Sequence, residues 1–477
     1  MPRFARKLQT PIGKNGVGRI RKFNLSGASE RNDCAASYQT IIQRSLEGIP
    51  MQYDLDAIRG RFPALAIRDA DQPRIYFDNP AGTQVPDSVV ERMTECLVES
   101  NANVQGEFRT SQKVDVLIAE AHAAMADLLN AASAEEIVFG QNMTTITLHL
   151  SRSIGRLMQK GDEIILSRMD HDANVGPWLM LAEDLGLVVK WLPFNTETFE
   201  FELDKLDELL TDKTRLICVG AASNLTGTIN DVKTICAKAR AAGAMTYIDA
   251  VQAVPHVATD VQDIGCDFLV CSAYKFFGPH QGILWGRREV LERLTPYKVR
   301  PAPNAIPGCF ETGTQSHEGM AGTLAAVDYF SWIGETMSGH YHDRYSHFSG
   351  RRRYVHAAMD CLLDYEKELA GQLITGLQQL PGVRVQGITC TDALDRRVPT
   401  VSFTVDGQNP DDIAASLAAR NIFVWSGHVY AVEAAKSLGI YDSGGAVRVG
   451  PVHYNSSAEI DYALNALTDI LPRANVA

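Results

Sequence analysis

Asp267-Phe-Leu-Val-Cys-Ser-Ala-Tyr-Lys-Phe-Phe-Gly-Pro279 is an apolar run that ends on a single lysine beside glycine and proline. It has the length and composition of a buried strand, and Gly278-Pro279 marks the loop that follows. Lys275, at the end of such a strand, is a candidate Schiff-base former. Met245-Thr-Tyr-Ile-Asp249 closes a second short apolar run on a carboxylate, with Gln252 three residues later. If both runs are strands of one parallel sheet, Lys275 and Asp249 meet at the same edge. An amine for an aldehyde and a carboxylate for a pyridine nitrogen are the minimum equipment for pyridoxal phosphate.

Outward from these two runs the pattern is strand, turn, helix, repeated. Glu136-Ile-Val-Phe139, Glu163-Ile-Ile-Leu166, Leu187-Val-Val-Lys-Trp191 and Arg215-Leu-Ile-Cys-Val219 precede them, and helical stretches such as 144–158 and 231–242 separate most of the strands. Such alternation, as far as about Trp285, predicts an α/β fold with a mostly parallel sheet covered by helices on both faces. Ligands of such sheets bind beyond the carboxyl ends of the strands. After about Gly322 the texture changes to a helical run over 354–380, strands Val383-Arg-Val385 and Thr400-Val-Ser-Phe-Thr-Val405, a helix over 411–420 and Ala446-Val-Arg-Val-Gly450. The expected division is a basic extension (1–50), an N-terminal segment packing with the small domain (51–75), a large cofactor-binding domain (76–321) and a small α+β domain (322–477).

A chain of 477 residues is too long for one ordinary core. With 45% hydrophobic and 21% charged residues it has the composition of a soluble protein, and no stretch approaches the roughly 18 apolar residues of a membrane span. A net charge of -12 argues against nucleic acid as the main partner. The nine cysteines show no CxxC pairs and no metal-ligand spacing, so they read as reduced thiols of a cytoplasmic protein without a metal site. The first fifty residues carry nine Lys/Arg against three Asp/Glu, a local +6 that leaves the remainder at -18. That segment reads as an unstructured extension, with a targeting presequence or a misassigned start as the alternatives.

Several motifs in order give the chain a resemblance to fold-type I pyridoxal-phosphate enzymes of aminotransferase class V, in particular to the cysteine desulfurase-like branch. Ile75-Tyr-Phe-Asp-Asn-Pro-Ala-Gly-Thr-Gln84 resembles the family's opening strand and turn near the substrate, which implicates Asn79. Met169-Asp-His-Asp-Ala-Asn-Val-Gly-Pro-Trp178 resembles its histidine motif and implies that His171 stacks on the cofactor ring, where an imidazole can also transfer protons. Taken alone, His171 reads first as a hydrogen-bonded loop histidine. Asn142-Met-Thr144 precedes a helix and so offers free N–H groups to an anion; the resemblance makes these three residues a phosphate cup, whereas alone they read as a helix cap. Asn224, otherwise a turn residue, is implied near the cofactor hydroxyl. Asp249 is implied at the pyridinium, with a buried salt bridge or cap as the alternative, and Gln252 at the ring oxygen. Ser272 and Tyr274 flank Lys275, where the family has serine and usually histidine on the phosphate. Gly313 and Thr314, in Phe310-Glu-Thr-Gly-Thr314, are implied to reach the phosphate of a neighbouring subunit, hence a homodimer with shared sites. Arg448 matches the arginine that clamps a substrate carboxylate, for which a planar fork is well suited; alone it reads as a structural ion pair. The resemblance further implies a large domain with a mostly parallel seven-stranded sheet and a smaller C-terminal domain.

The pattern breaks at Ile422-Phe-Val-Trp-Ser-Gly-His-Val-Tyr-Ala431. Where desulfurases carry a nucleophilic cysteine after a glycine-histidine pair, this chain has Tyr430, and a phenol with a pKa near ~10 does not accept sulfur as a thiolate does. The leading expectation is therefore an amino-acid-transforming enzyme that works through a Lys275 aldimine, an aminotransferase or lyase, with His428 and Tyr430 lining the substrate side as acid catalysts or pocket walls. The alternatives are a desulfurase that uses Cys309 or Cys390, and a non-catalytic cofactor-binding protein. A nucleotide-binding Rossmann protein is disfavoured because no G-x-G-x-x-G follows the first strand.

Overall fold

The structure, a computed structural model, describes residues 53–471. The basic stretch 1–50, expected as an extension, lies outside the described residues, as do Met51 and Gln52. Asp54 caps the first of the described helices, Leu55–Arg59, by accepting from the Ala57 amide at 2.9 Å.

The larger sheet contains β1 (Ile137–Gly140), β2 (Glu163–Ser167), β3 (Val188–Leu192), β4 (Thr214–Gly220), β5 (Met245–Asp249), β6 (Phe268–Ser272) and β7 (Gly282–Gly286). Their spatial order is β1-β7-β6-β5-β4-β2-β3. Neighbours from β6 across to β3 are parallel, and only β7 runs antiparallel, against both β6 and β1. Phe, Leu, Val and Cys fill β6, and every residue of β6 and β7 is buried, as befits strands covered on both faces. β7 begins on Gly282 because a Cβ there would lie 2.4 Å from the carbonyl carbon of Asn142, at the start of the helix Met143–Gly155.

The four-stranded C-terminal sheet is antiparallel and contains β8 (Val383–Gln386), β9 (Val401–Val405), β10 (Trp425–Gly427) and β11 (Ala446–Val449), in the order β8-β9-β11-β10. Phe403, Val447, Leu373, Ile413 and Ile460 share its core with Ile75 and Phe77 from the front of the chain. Ile75–Tyr76 pairs in parallel with Ile422–Phe423, so the N-terminal segment is stitched onto the C-terminal part.

The helix His317–Met337 spans the position 321/322 where the sequence suggests a domain boundary. Its Met320, Leu324, Phe330 and Ile333 belong to the same core as β1, β4, β5 and β6. It also lies close enough to the long helix Gly350–Gln378 that a Cβ on Gly334 would meet the Tyr354 carbonyl oxygen at 2.0 Å. Among the described residues, no helix is long and apolar enough to cross a membrane.

Candidate active site

The carboxyl ends of β2, β4, β5 and β6, joined by β10 and β11 of the smaller sheet, open on one cavity of about 710 Å³. Asn142, Met143, Thr144, His171, Asn224, Asp249, Gln252, Ser272, Tyr274, Lys275, His428, Tyr430 and Arg448 all line it. Side chains as far apart in the chain as Asn142 and Arg448 therefore share one space, beyond the strand ends where open α/β sheets bind ligands.

Asp249 is the last residue of β5, buried, and its Oδ1 accepts from the Val251 amide at 2.9 Å. Burial pushes its carboxyl up to about 6, against the pull of the Lys275 charge. Lys275 follows β6 in a single 3-10 turn and donates its Nζ to the Pro80 carbonyl. Burial lowers its amine to about 7; the Arg448 charge adds to this and Asp249 opposes it. A large fraction of this amine is consequently unprotonated at neutral pH. Tyr274 lies under the ammonium, with 4.9 Å from Nζ to the ring centroid.

His171 accepts the Ala173 amide on Nδ1 at 3.0 Å, which leaves the proton of the neutral ring on Nε2. Burial, with the charges of Lys275 and Arg448, brings its pKa down to about 4, so the imidazole is uncharged at pH 7. Arg448 is buried on β11; burial takes its guanidinium down to about 10, and its Nε has no protein partner. Asn224 donates Nδ2 to the Val429 carbonyl at 2.7 Å, while its buried Oδ1 has no partner. Gln252 donates Nε2 to Thr400 Oγ1 at 2.8 Å. Asn142 caps the helix Met143–Gly155 by accepting from the Thr145 amide at 2.8 Å, and the first helical residues sit at the cavity. Such a terminus favours an anion.

Three of the expected residues lie outside this cavity. Asn79 does not line it: its Nδ2 donates to the carbonyls of Tyr76 (2.8 Å) and Gly450 (2.7 Å), and its Oδ1 accepts from Tyr454. The amide ties the opening turn to the C-terminal part, and Ala81 reaches the cavity instead. Gly313 and Thr314 are exposed and away from the lining. Their loop is anchored through Glu311, whose Oε1 accepts from the Phe139 amide at 2.8 Å and pairs with His122 Nε2 at 2.7 Å.

Among the lining residues that sequence reasoning missed are Asp170 and His280. Asp170, beside His171, accepts from Ser167, from the Gly220 amide at 2.9 Å and from Asn174 Nδ2 at 2.6 Å; burial pushes it up to about 7. It braces the histidine loop against β4, and the signal that could have found it is the one that found Asp249, a carboxylate just beyond an apolar strand. His280 stacks on Tyr274 with centroids 5.0 Å apart, and no pattern in Gly278-Pro279-His280 marks it.

No cysteine among the described residues lines the cavity. Cys309 is 3% exposed, in a separate pocket with Glu135 and Arg288, and burial raises its thiol. Cys390 is exposed elsewhere on the surface.

A doubly covered sheet with an amine and a carboxylate at its strand ends, sharing one cavity with a guanidinium from the smaller sheet, defines an enzyme of the fold-type I class, and comparison with known proteins agrees. The chain belongs to the aminotransferase class-V family, whose model matches residues 75–351 and 353–463. It is 32% identical to the aminotransferase-like protein FGM3 of Gibberella zeae, over 88% of this chain and 99% of that protein. It is 31% identical to a cysteine desulfurase of Pectobacterium atrosepticum, over 88% and 98%. Among solved structures, the cysteine desulfurase of Thermococcus onnurineus NA1 superposes with a TM-score of 0.76 at 27% identity, covering 87% of this chain and 97% of that one. CsdA, a cysteine desulfurase of Escherichia coli, gives 0.73 at 27%, covering 87% and 98%.

Proposed function

We propose that this chain binds pyridoxal 5'-phosphate and transforms an α-amino acid, as an aminotransferase or lyase rather than as a sulfur-transferring desulfurase. The observation that carries the reading is the pairing of Lys275, an amine lowered to about 7, with the buried Asp249 at adjacent strand ends of one cavity. The orphan atoms suit the group: Asn224 Oδ1 and Arg448 Nε are buried without partners, and the N-terminus of the helix Met143–Gly155 opens on the same cavity. When bound, pyridoxal phosphate supplies an aldehyde for an amine and a protonated ring that withdraws electrons from the substrate α-carbon.

The chain's own residues then have distinct tasks. Lys275 Nζ, neutral in good part at pH 7, would hold the cofactor through its aldehyde and could move a proton at the substrate α-carbon. Asp249 presents anionic oxygen above about pH 6 and so keeps a ring N–H protonated. His171, neutral and flat, offers a face for stacking and an Nε2 proton. Asn142, Met143, Thr144, Ser272 and Tyr274 would hold the phosphate, and Gln252 would meet the ring oxygen. Arg448 holds the substrate carboxylate, with His428 and Tyr430 on the side-chain wall. In a cytoplasmic homodimer, Gly313 and Thr314 serve the neighbouring subunit's phosphate.

Sulfur transfer, the activity named for several relatives, is disfavoured because neither Cys309 nor Cys390 lines the cavity. The test is to add a panel of amino acids to purified protein, follow the visible spectrum and identify products. Keto acid or ammonia supports the proposal. Sulfide from cysteine, lost in Cys309→Ser or Cys390→Ser, overturns the choice of reaction, and an absorption band that no amino acid perturbs marks a non-catalytic binder.

A further inference from the structure

The segment from Gly427 to Tyr430 crosses the cavity in a backbone conformation that L-residues rarely adopt. The φ angle is +106° at Gly427, +44° at Val429 and +62° at Tyr430. A β-branched residue at positive φ is strained, so the surroundings must hold it there. Two hydrogen bonds do so: the Val429 carbonyl accepts from Asn224 Nδ2 at 2.7 Å, and the Tyr430 carbonyl accepts from the Asp172 amide at 2.8 Å. The Tyr430 ring stacks on His171, with centroids 5.4 Å apart and planes inclined by 24°. His428 folds back to accept the Tyr430 amide on Nδ1 at 3.2 Å, and its own ring stacks on Tyr441 at 5.5 Å.

Asn224 sits at the crossing of these contacts. Its backbone carbonyl takes Arg448 Nη1 at 2.9 Å, its Nδ2 holds the loop, and its Oδ1 is buried without a partner. The Nδ1 bond to Ala173 fixes His171 within its ring plane, so the tilt of the imidazole depends on what stacks against it. Tyr430 covers one of its faces.

We propose that Asn224 and Tyr430 form a latch: Tyr430 is a positioning residue that sets the tilt of His171, and Asn224 couples docking of the 427–430 loop to occupation of the cavity. This rests on the pyridoxal phosphate reading for the occupant, whereas the latch itself is made of protein contacts alone. An acceptor at Asn224 Oδ1 that gains a donor from the bound group fixes the amide plane, and with it the Nδ2 bond that holds the strained loop. The tyrosine that stands at the desulfurase cysteine position thus makes the loop a fixed wall of the cavity.

The experiment is amide hydrogen exchange on the full chain, with and without added pyridoxal 5'-phosphate, for the wild type, Tyr430→Ala, Tyr430→Phe and Asn224→Ala. The Asp172 amide reports the docked loop directly. Tyr430 is 67% exposed, so its replacement leaves the core intact. Tyr430→Ala is expected to speed exchange at Asp172 about tenfold in the cofactor-free protein, by easing local opening, and Tyr430→Phe, which keeps the stack, restores it. Pyridoxal phosphate slows that exchange in the wild type but not in Asn224→Ala, and shifts the visible band of Tyr430→Ala relative to that of Tyr430→Phe. Wild-type exchange in Tyr430→Ala overturns the latch, and an alanine-like Tyr430→Phe overturns the stacking role. Equal slowing by the cofactor in Asn224→Ala overturns the coupling. Absence of any cofactor band in the wild type rejects the pyridoxal phosphate reading and with it the coupling, while the cofactor-free comparison still decides the stacking role.

Discussion

Arg448 donates Nη1 to the backbone carbonyl of Asn224 at 2.9 Å, which ties the C-terminal sheet to the loop after β4. The bond fixes the guanidinium while its Nε stays unpartnered at the cavity. A charge-assisted hydrogen bond contributes about 1.5–3 kcal/mol, so Arg448→Lys, which keeps the charge and loses the planar fork, is expected to weaken amino-acid binding about 10- to 100-fold with the cofactor retained. Spectral titration with amino acid measures both.

Lys275 sets a pH dependence whose sign follows from its depressed value. The neutral amine is the reactive form and gains as the pH rises through about 7. Uptake of pyridoxal phosphate by cofactor-free protein should accelerate through that range and level off near pH ~8, once the amine is mostly deprotonated. An ordinary lysine, near ~10.4, keeps accelerating well beyond it. Stopped-flow absorbance across pH distinguishes the two curves.

Asp249→Asn removes the anion but keeps the shape. Breaking a buried charge pair costs about 3–5 kcal/mol, and Asp249 would form one with a bound ring, so turnover should fall by roughly 10²- to 10⁴-fold, with the Val251 amide still able to donate to the new carbonyl oxygen. Steady-state kinetics beside a thermal melt separates this from misfolding; wild-type turnover in Asp249→Asn contradicts the assigned role.

Away from the cavity, Glu366 of the long helix is fully buried and pairs with His256 Nδ1 at 2.7 Å, and it accepts from the His453 amide at 3.0 Å. Burial alone raises its carboxyl, but His256 and His453 outweigh it and hold the group below its ordinary value. The folded state thus favours the anion, and this stabilisation is present above the unfolded value and lost as the pH falls through the folded one. Glu366→Ala should lower stability by about 3–5 kcal/mol at pH 7, and Glu366→Gln should flatten the acid side of the stability curve. Urea unfolding at several pH values checks both.

The chemistry at strand ends is legible in the sequence because β5 and β6 are unbroken apolar runs, and the residue that follows such a run must sit at the sheet edge. β7 does not stand out as a strand, since glycine at both ends hides it and its reason, close approach to Asn142, lies far away in the chain. Asn79 misleads for a related reason: its partners Gly450, Tyr454 and Asn455 are more than 370 residues distant, and nothing local distinguishes a structural amide from a ligand-binding one. Asp170 escapes notice because the histidine beside it carries the motif. The boundary expected after 321 falls inside the helix His317–Met337, whose Met320, Leu324, Phe330 and Ile333 pack with the strands of the larger sheet.

The central claim is that one amine, Lys275, takes the cofactor. Purified protein incubated with pyridoxal 5'-phosphate, reduced with borohydride and digested should carry a phosphopyridoxyl group on the peptide containing Lys275, and Lys275→Ala should carry none there. Stable labelling of a different lysine, or none in the wild type, contradicts the account.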